Sequence, residues 1–161
     1  MGRSRSPTGT HLRQRRALPF GRSRRGGRHR LSRLMLAKEN PMELRELGKK
    51  DGAGHQPRIC LGKASDTLAS VCLTAPDKTG DLRDQSLQIL NAIEEYFRSV
   101  GSSRKQILMV QVWLFDISEY PAFCELWNEW IDPEGVPALS VVTGHAARRD
   151  CAVEIRAYAA C

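Results

Sequence analysis

The sequence predicts an α+β fold, with one domain that follows a basic N-terminal arm. Two helical segments with apolar faces alternate with apolar strand segments, and no repeat of solenoid length is present. With 161 residues, of which 41% are hydrophobic, the chain is long enough to bury one core. No apolar run approaches the roughly 18 residues that predict a membrane span, so no membrane partner is expected.

Charge divides the sequence into two parts. Residues 1–38 hold 12 of the 25 basic residues and none of the 18 acidic ones, so they carry +12 and residues 39–161 carry −5. The arm is rich in Arg, Ser and Gly without an apolar period, a composition typical of disorder. Three interpretations stay open: a nucleic-acid-binding arm, an organellar transit segment, and, as we favour, a start codon placed upstream of Met35 or Met42. The expected compartment is the cytoplasm, or a mitochondrion or plastid if the arm is a transit segment.

The first elements after the arm are predicted as strands. Residues 58–62 and 67–74 have strand composition, and the small and polar residues 62–66 between them favour a hairpin turn. An additional, earlier strand is considered near residues 42–47. Residues 75–80 contain Pro, Asp and Gly and are predicted as a loop.

Two helices are predicted, at residues 82–100 and 119–131. Apolar residues of the first recur at spacings of three and four and form one face, while Asp81 caps its start and Gly101 ends it. Ser118 is predicted to cap the second helix, with Pro121 in its first turn.

Three further segments, residues 107–115, 138–143 and 151–158, are predicted to complete the sheet. The first is almost entirely apolar, β-branched or aromatic, which is typical of a central strand. In the last segment, alternation places Glu154 and Arg156 on the face opposite Val153 and Ile155. The order ββ–α–β–α–ββ predicts a mixed sheet with both helices on one face.

Few residues point directly to chemistry. The sequence lacks a phosphate loop, a dinucleotide fingerprint and a nucleophile elbow, and its histidines and cysteines have no metal-ligand spacing, so no metal is expected. An odd count of five cysteines without Cys-x-x-Cys pairs favours a reducing compartment. Glu154 belongs either to a solvated strand face or to a cleft, where it would act as a general base or hold water. Arg148 and Arg149 belong either to a solvated turn or to an anion contact.

Short motifs follow one another from residue 84 onward in a specific order. They are Asp84-Gln85-Ser86, Gly101-Ser102-Ser103, Val112-Trp113-Leu114-Phe115-Asp116, Trp127-Asn128-Glu129-Trp130-Ile131, Pro137-Ala138 and Val153-Glu154-Ile155. Together they resemble the RidA/YjgF family of reactive-intermediate imine deaminases, and the paired tryptophans indicate a divergent branch of it.

The resemblance implies a chorismate-mutase-like fold and a homotrimer with three clefts between subunits. In the family these clefts bind small carboxylates. The deaminases hydrolyse 2-imino or 2-enamino acids to 2-oxo acids and ammonia, and they need no cofactor.

The resemblance also assigns site residues. Glu154 falls on the cleft glutamate that is thought to hold the attacking water, and Thr74 falls on the Ser/Thr position that orients the substrate. Cys124 stands where the family often has asparagine. Leu139 replaces the arginine of the family's Pro-Ala-Arg motif, and leucine has no donor with which to clamp a carboxylate.

Three functions follow as hypotheses. We favour a RidA-like homotrimer that binds a small, less acidic metabolite and is not a standard deaminase. The alternative is a cofactor-free imine or enamine deaminase. The third is RNA binding or cleavage, which only the basic arm supports, because residues 39–161 are acidic and carry no aromatic platform among basic residues.

Overall fold

The computed structural model describes residues 42–161. The basic arm, residues 1–38, and the three interpretations of it lie outside these described residues. Within them, no helix is both long enough and apolar enough to cross a membrane.

Six strands form one mixed sheet. They are β1 (Arg45–Leu47), β2 (Gly62–Ala64), β3 (Leu68–Thr74), β4 (Ile107–Leu114), β5 (Ala138–Thr143) and β6 (Val153–Ala160). Their order across the sheet is β1-β2-β3-β6-β4-β5, in which β4 and β5 are parallel and all other neighbours are antiparallel. The predicted α+β class and the mixed sheet are confirmed, and the apolar strand β4 lies inside the sheet.

Two helices pack on the sheet: α1 (Leu82–Ser99) and α2 (Tyr120–Trp130). The Asp81 side chain accepts a hydrogen bond from the Asp84 amide at 2.9 Å, which satisfies one of the free amides at the start of α1. Gly101 follows α1 with a φ of 88°, a conformation that glycine adopts without steric cost. Both ends of the first helix therefore agree with the prediction.

The core lies between the helices and one face of the sheet. Alternate strand residues such as Val71, Val112 and Ile155 are buried there against Ile89 and Phe123 of the two helices. Because side chains alternate along a strand, the remaining strand residues point to the other face, which no element among residues 42–161 covers. We call this second side of the sheet the open face.

The predicted first hairpin strand, residues 58–62, is wrong. The strand begins at Gly62, whereas Ile59 makes only an isolated bridge with Lys50. A Cβ atom at Gly62 would lie 2.7 Å from the ring of Tyr96, so only glycine lets α1 pack this closely. Gly62 and Ala64 are thus small because they are buried under the helix, although the composition of this segment suggests a turn.

The predicted Ser118 cap is also wrong. A short 3₁₀ turn (Ile117–Glu119) precedes α2, and the Asp116 side chain accepts a hydrogen bond from the Ser118 amide at 2.8 Å. Asp116 therefore caps the 3₁₀ turn, because a carboxylate readily accepts from the amide two positions ahead, and α2 itself begins after Glu119 without a side-chain cap. The last strand begins at Val153 instead of residue 151 and ends at Ala160.

Candidate functional site

Two of the four predicted site residues, Thr74 and Glu154, lie side by side on neighbouring strands of the open face. Glu154 on β6 pairs with Thr74 on β3 on one side and with Trp113 on β4 on the other. Residues that are paired across strands point to the same face. Thr74 and Glu154, which lie 80 positions apart in the sequence, are therefore direct neighbours, and the predicted alternation of Glu154 and Arg156 with buried residues is confirmed.

A cavity of about 490 Å³ opens beside Glu154 and Thr74. Cys72 of β3 lines it, and two basic residues enter from loops: Lys50, which follows β1, and Arg148, which lies between β5 and β6. The ion pairs found within residues 42–161 involve neither of these two cations. The cavity therefore combines one carboxylate, one hydroxyl and two available positive charges. We call it the Glu154 cavity.

Cys72 holds the Glu154 carboxylate directly. Its Sγ atom donates a hydrogen bond to Glu154 Oε1 at 3.3 Å. Burial raises the pKa of the Cys72 thiol, and the hydrogen bond to Glu154 raises it further. Because the thiol stays protonated at neutral pH, it remains a donor that orients the carboxylate, and it is a poor nucleophile.

Arg156 shares the open face but does not pair with Glu154. Its guanidinium lies 5.3 Å from the centroid of the Trp113 ring, a cation–π distance. No ion pair between Arg156 and Glu154 is found among the described residues. Glu154 therefore keeps its charge available to the cavity.

The structure does not bring Leu139 to the Glu154 cavity of the same chain. Leu139 pairs with Val110, whose side chain is buried in the core, so Leu139 projects from the helix-covered face of the edge strand β5. Its side chain is 38% exposed at that edge. Leu139 and Glu154 therefore lie on opposite faces of the sheet.

Cys124 also lies away from the cavity. It belongs to α2, on the other side of the sheet, one helical turn after Tyr120. A hydrogen bond with the Cys124 thiol raises the pKa of the Tyr120 hydroxyl. Of the four predicted site residues, the fold therefore gathers Thr74 and Glu154 in one cavity and places Leu139 and Cys124 elsewhere.

Two residues that bring polar groups close to Glu154, Lys50 and Cys72, were not predicted as site residues from the sequence. Cys72 could have been found, because it precedes Thr74 by two positions on a predicted strand and so shares its face. Lys50 carries no comparable signal, because it lies in a loop whose path depends on the bridge to Ile59. Arg148, considered as an anion contact, does reach the cavity. Residues 42–161 contain no group of three or more His, Cys, Asp or Glu side chains that could hold a metal ion.

The fold agrees with comparisons to known proteins. The family model described as endoribonuclease L-PSP matches residues 64–161, and the chain therefore belongs to this family, also called RidA/YjgF. A RutC family protein from Haemophilus influenzae is 30% identical over 78 residues, which cover 48% of this chain and 67% of that protein. A RutC family protein from Haemophilus ducreyi is 29% identical over 79 residues, which cover 49% of this chain and 68% of that protein.

A solved structure supports the fold independently. A member of the YjgF protein family from Neisseria meningitidis superimposes with a TM-score of 0.64, over 74% of this chain and 95% of that one. Its sequence identity is 22%, so the likeness concerns the fold. The family resemblance read from the motifs is confirmed.

Proposed function

We propose that this RidA-family chain binds a small organic acid in the Glu154 cavity. The observation that carries the proposal is the presence of Lys50 and Arg148 beside Glu154 and Thr74, around a space of about 490 Å³. That volume is within the usual range for small-molecule pockets, about 300–1,000 Å³. The ligand is therefore more acidic than the replacement of the family arginine by Leu139 alone suggests.

Charge and geometry define the ligand class. An arginine can hold a carboxylate through two parallel hydrogen bonds, and a lysine adds a point charge. Glu154 accepts hydrogen bonds and repels a second carboxylate, so it suits a hydroxyl, an amine, an imine N–H or a water molecule. The ligand that fits is a carboxylic acid with a polar donor near its acidic group.

Hydrolytic deamination is the second candidate, favoured by the proximity of Glu154 to these cations. Water would add to the C=N carbon of a 2-imino acid while Glu154 accepts its proton and Thr74 orients the substrate. Return of that proton to nitrogen would give a carbinolamine. Transfer of the remaining hydroxyl proton to nitrogen, with cleavage of the C–N bond and formation of the C=O bond, would then release ammonia and a 2-oxo acid. The atoms balance without any oxidant or cofactor.

A homotrimer is part of the same proposal. The open face carries Trp113 and the 44% exposed Val142 next to each other, and Leu139 stands at the sheet edge. Burial of these apolar side chains between copies would stabilise an assembly. Light scattering of the full chain should then give three times the mass of one chain, and a monomer at micromolar concentration would contradict it.

Binding is tested by calorimetric titration of the full chain with 2-oxobutanoate. Lys50→Gln should weaken binding by about tenfold, the equivalent of roughly 1.4 kcal/mol. Lys49→Gln is the matched control, because Lys49 is the next residue in the chain but pairs with Glu46 and does not line the cavity. Equal affinities for the two variants would contradict the proposal.

Deamination is tested with imines freshly generated by an amino-acid oxidase. The expected result is faster formation of the 2-oxo acid than in buffer, with a loss of about 100-fold or more in Glu154→Gln, as for removal of a general base. Glu129→Gln, at an exposed carboxylate on α2, should keep the rate. A rate equal to that of buffer would remove this second candidate and leave the binding function.

A further inference from the structure

A second and larger cavity lies next to the Glu154 cavity. It measures about 650 Å³ and is formed by the start of α1, the residue after β4 and the connection between β5 and β6. Glu154 and Thr74 do not line it, and Arg148 is the one residue that lines both cavities. We call it the Phe115 cavity.

The wall of the Phe115 cavity is held in place by Gln85 of α1. This side chain is only 2% exposed, and its amide nitrogen donates to the carbonyls of Gly80 at 3.0 Å and of Lys78 and Asp150 at 3.3 Å. Its oxygen accepts a hydrogen bond from the Ala152 amide at 2.9 Å. One buried amide thus ties two loops to the first helix, so the cavity is formed before any ligand arrives.

Positive charge dominates the lining. Lys78, Arg148 and Arg149 contribute three cations, against the single carboxylate of Asp150. Within residues 42–161, no ion pair involves any of these four side chains. The cations are therefore available to an anion that carries more than one negative charge.

An aromatic surface stands beside these charges. The Phe115 side chain is 57% exposed, although it directly follows β4, a strand inside the sheet. Its ring centroid lies 4.6 Å from that of His145, with the two planes at 75°. Two rings in this edge-to-face arrangement offer a surface on which a third planar ring can pack.

We propose that the Phe115 cavity is a separate binding site for an organic anion that joins a planar ring to a phosphate group. The phosphate lies against Arg148, Arg149 and Lys78, and the ring packs on Phe115 and His145. The volume falls within the usual range for a small-molecule site, and Gln85 fixes part of the wall. The two cavities share Arg148, whereas Lys78, Arg149, Phe115 and His145 line this site and do not line the Glu154 cavity.

The test is a titration of the full chain with phenyl phosphate, followed by amide NMR signals of residues 144–152. The expected affinity is at least tenfold higher than for inorganic phosphate or cyclohexyl phosphate, because the first lacks a ring and the second lacks a planar one. Benzoate should also bind more weakly than phenyl phosphate, since it carries one negative charge. Equal affinity of all four compounds, or signals that move only elsewhere, would overturn the proposal.

Matched variants separate the two halves of the site. Arg149→Gln should weaken phenyl phosphate about tenfold, whereas Arg83→Gln, at an arginine that pairs with Glu129 outside both cavities, should not. Phe115→Leu should weaken phenyl phosphate but leave inorganic phosphate unchanged, and Phe115→Tyr should retain binding. Unchanged affinity in both Arg149→Gln and Phe115→Leu would overturn the site. Neither residue lines the Glu154 cavity, so this result is independent of the 2-oxobutanoate titration.

Discussion

The same strands form both faces of the sheet, but the two faces differ in burial and polarity. The face under the helices is apolar and closed, with Val71, Val112 and Ile155 nearly free of solvent contact. The open face carries Thr74 and Glu154 at one level of the same strands and in strict alternation with those residues. Because successive side chains of a strand point to opposite faces, a substitution on the open face can leave the packing under the helices unchanged.

The largest effect is expected under the helices. Phe97→Ala should lower the free energy of unfolding by about 3–5 kcal/mol, because it leaves a cavity where a ring is now completely buried. Urea denaturation at fixed protein concentration measures the change.

Phe115→Ala is the matched control for that experiment. It removes the same side chain from a largely exposed position, where the main loss is the edge-to-face contact with His145, so the free energy of unfolding should change by about 1 kcal/mol. Similar losses in the two variants would show that the helix-covered face does not dominate stability.

A smaller effect is expected where β2 meets α1. Gly62→Ala should cost about 1–3 kcal/mol, because its Cβ would lie 2.7 Å from the Tyr96 ring and would push the helix from the sheet. The double variant Gly62→Ala with Tyr96→Leu should recover part of this loss relative to Tyr96→Leu alone, as measured in a thermodynamic cycle. Strict additivity would contradict the proposed clash.

The sequence predicted the parts of the fold that depend on neighbouring residues. Alternation identified the face that Glu154 and Arg156 share, and the spacing of apolar residues located α1 between Asp81 and Gly101. The strand that begins at Gly62 was missed because the need for glycine there comes from contact with Tyr96, a residue of another element.

The same limit applies to the candidate site. Thr74 and Glu154 could be placed together only through a family resemblance, and the register then explains their contact. Lys50 and Arg148 reach the Glu154 cavity through loops, whose paths have no periodic pattern. The position of Leu139 follows from its register with Val110, and residue order alone does not give that register.

The smallest effect on stability is expected for a substitution of Cys72. The same substitution should change ligand affinity, so it separates the role of the open face in binding from the role of the helix-covered face in stability. Cys72→Val replaces the thiol by an apolar group of similar size at a partly exposed position, so the free energy of unfolding should change by less than about 1 kcal/mol. Glu154 Oε1 would lose its donor, and the affinity for 2-oxobutanoate should fall several-fold because the carboxylate is no longer oriented. Cys72→Ser keeps a donor and should retain the affinity, although its hydroxyl is more polar than the thiol. If the two variants bound 2-oxobutanoate equally, the hydrogen bond from Cys72 to Glu154 would have no role in the open face's chemistry.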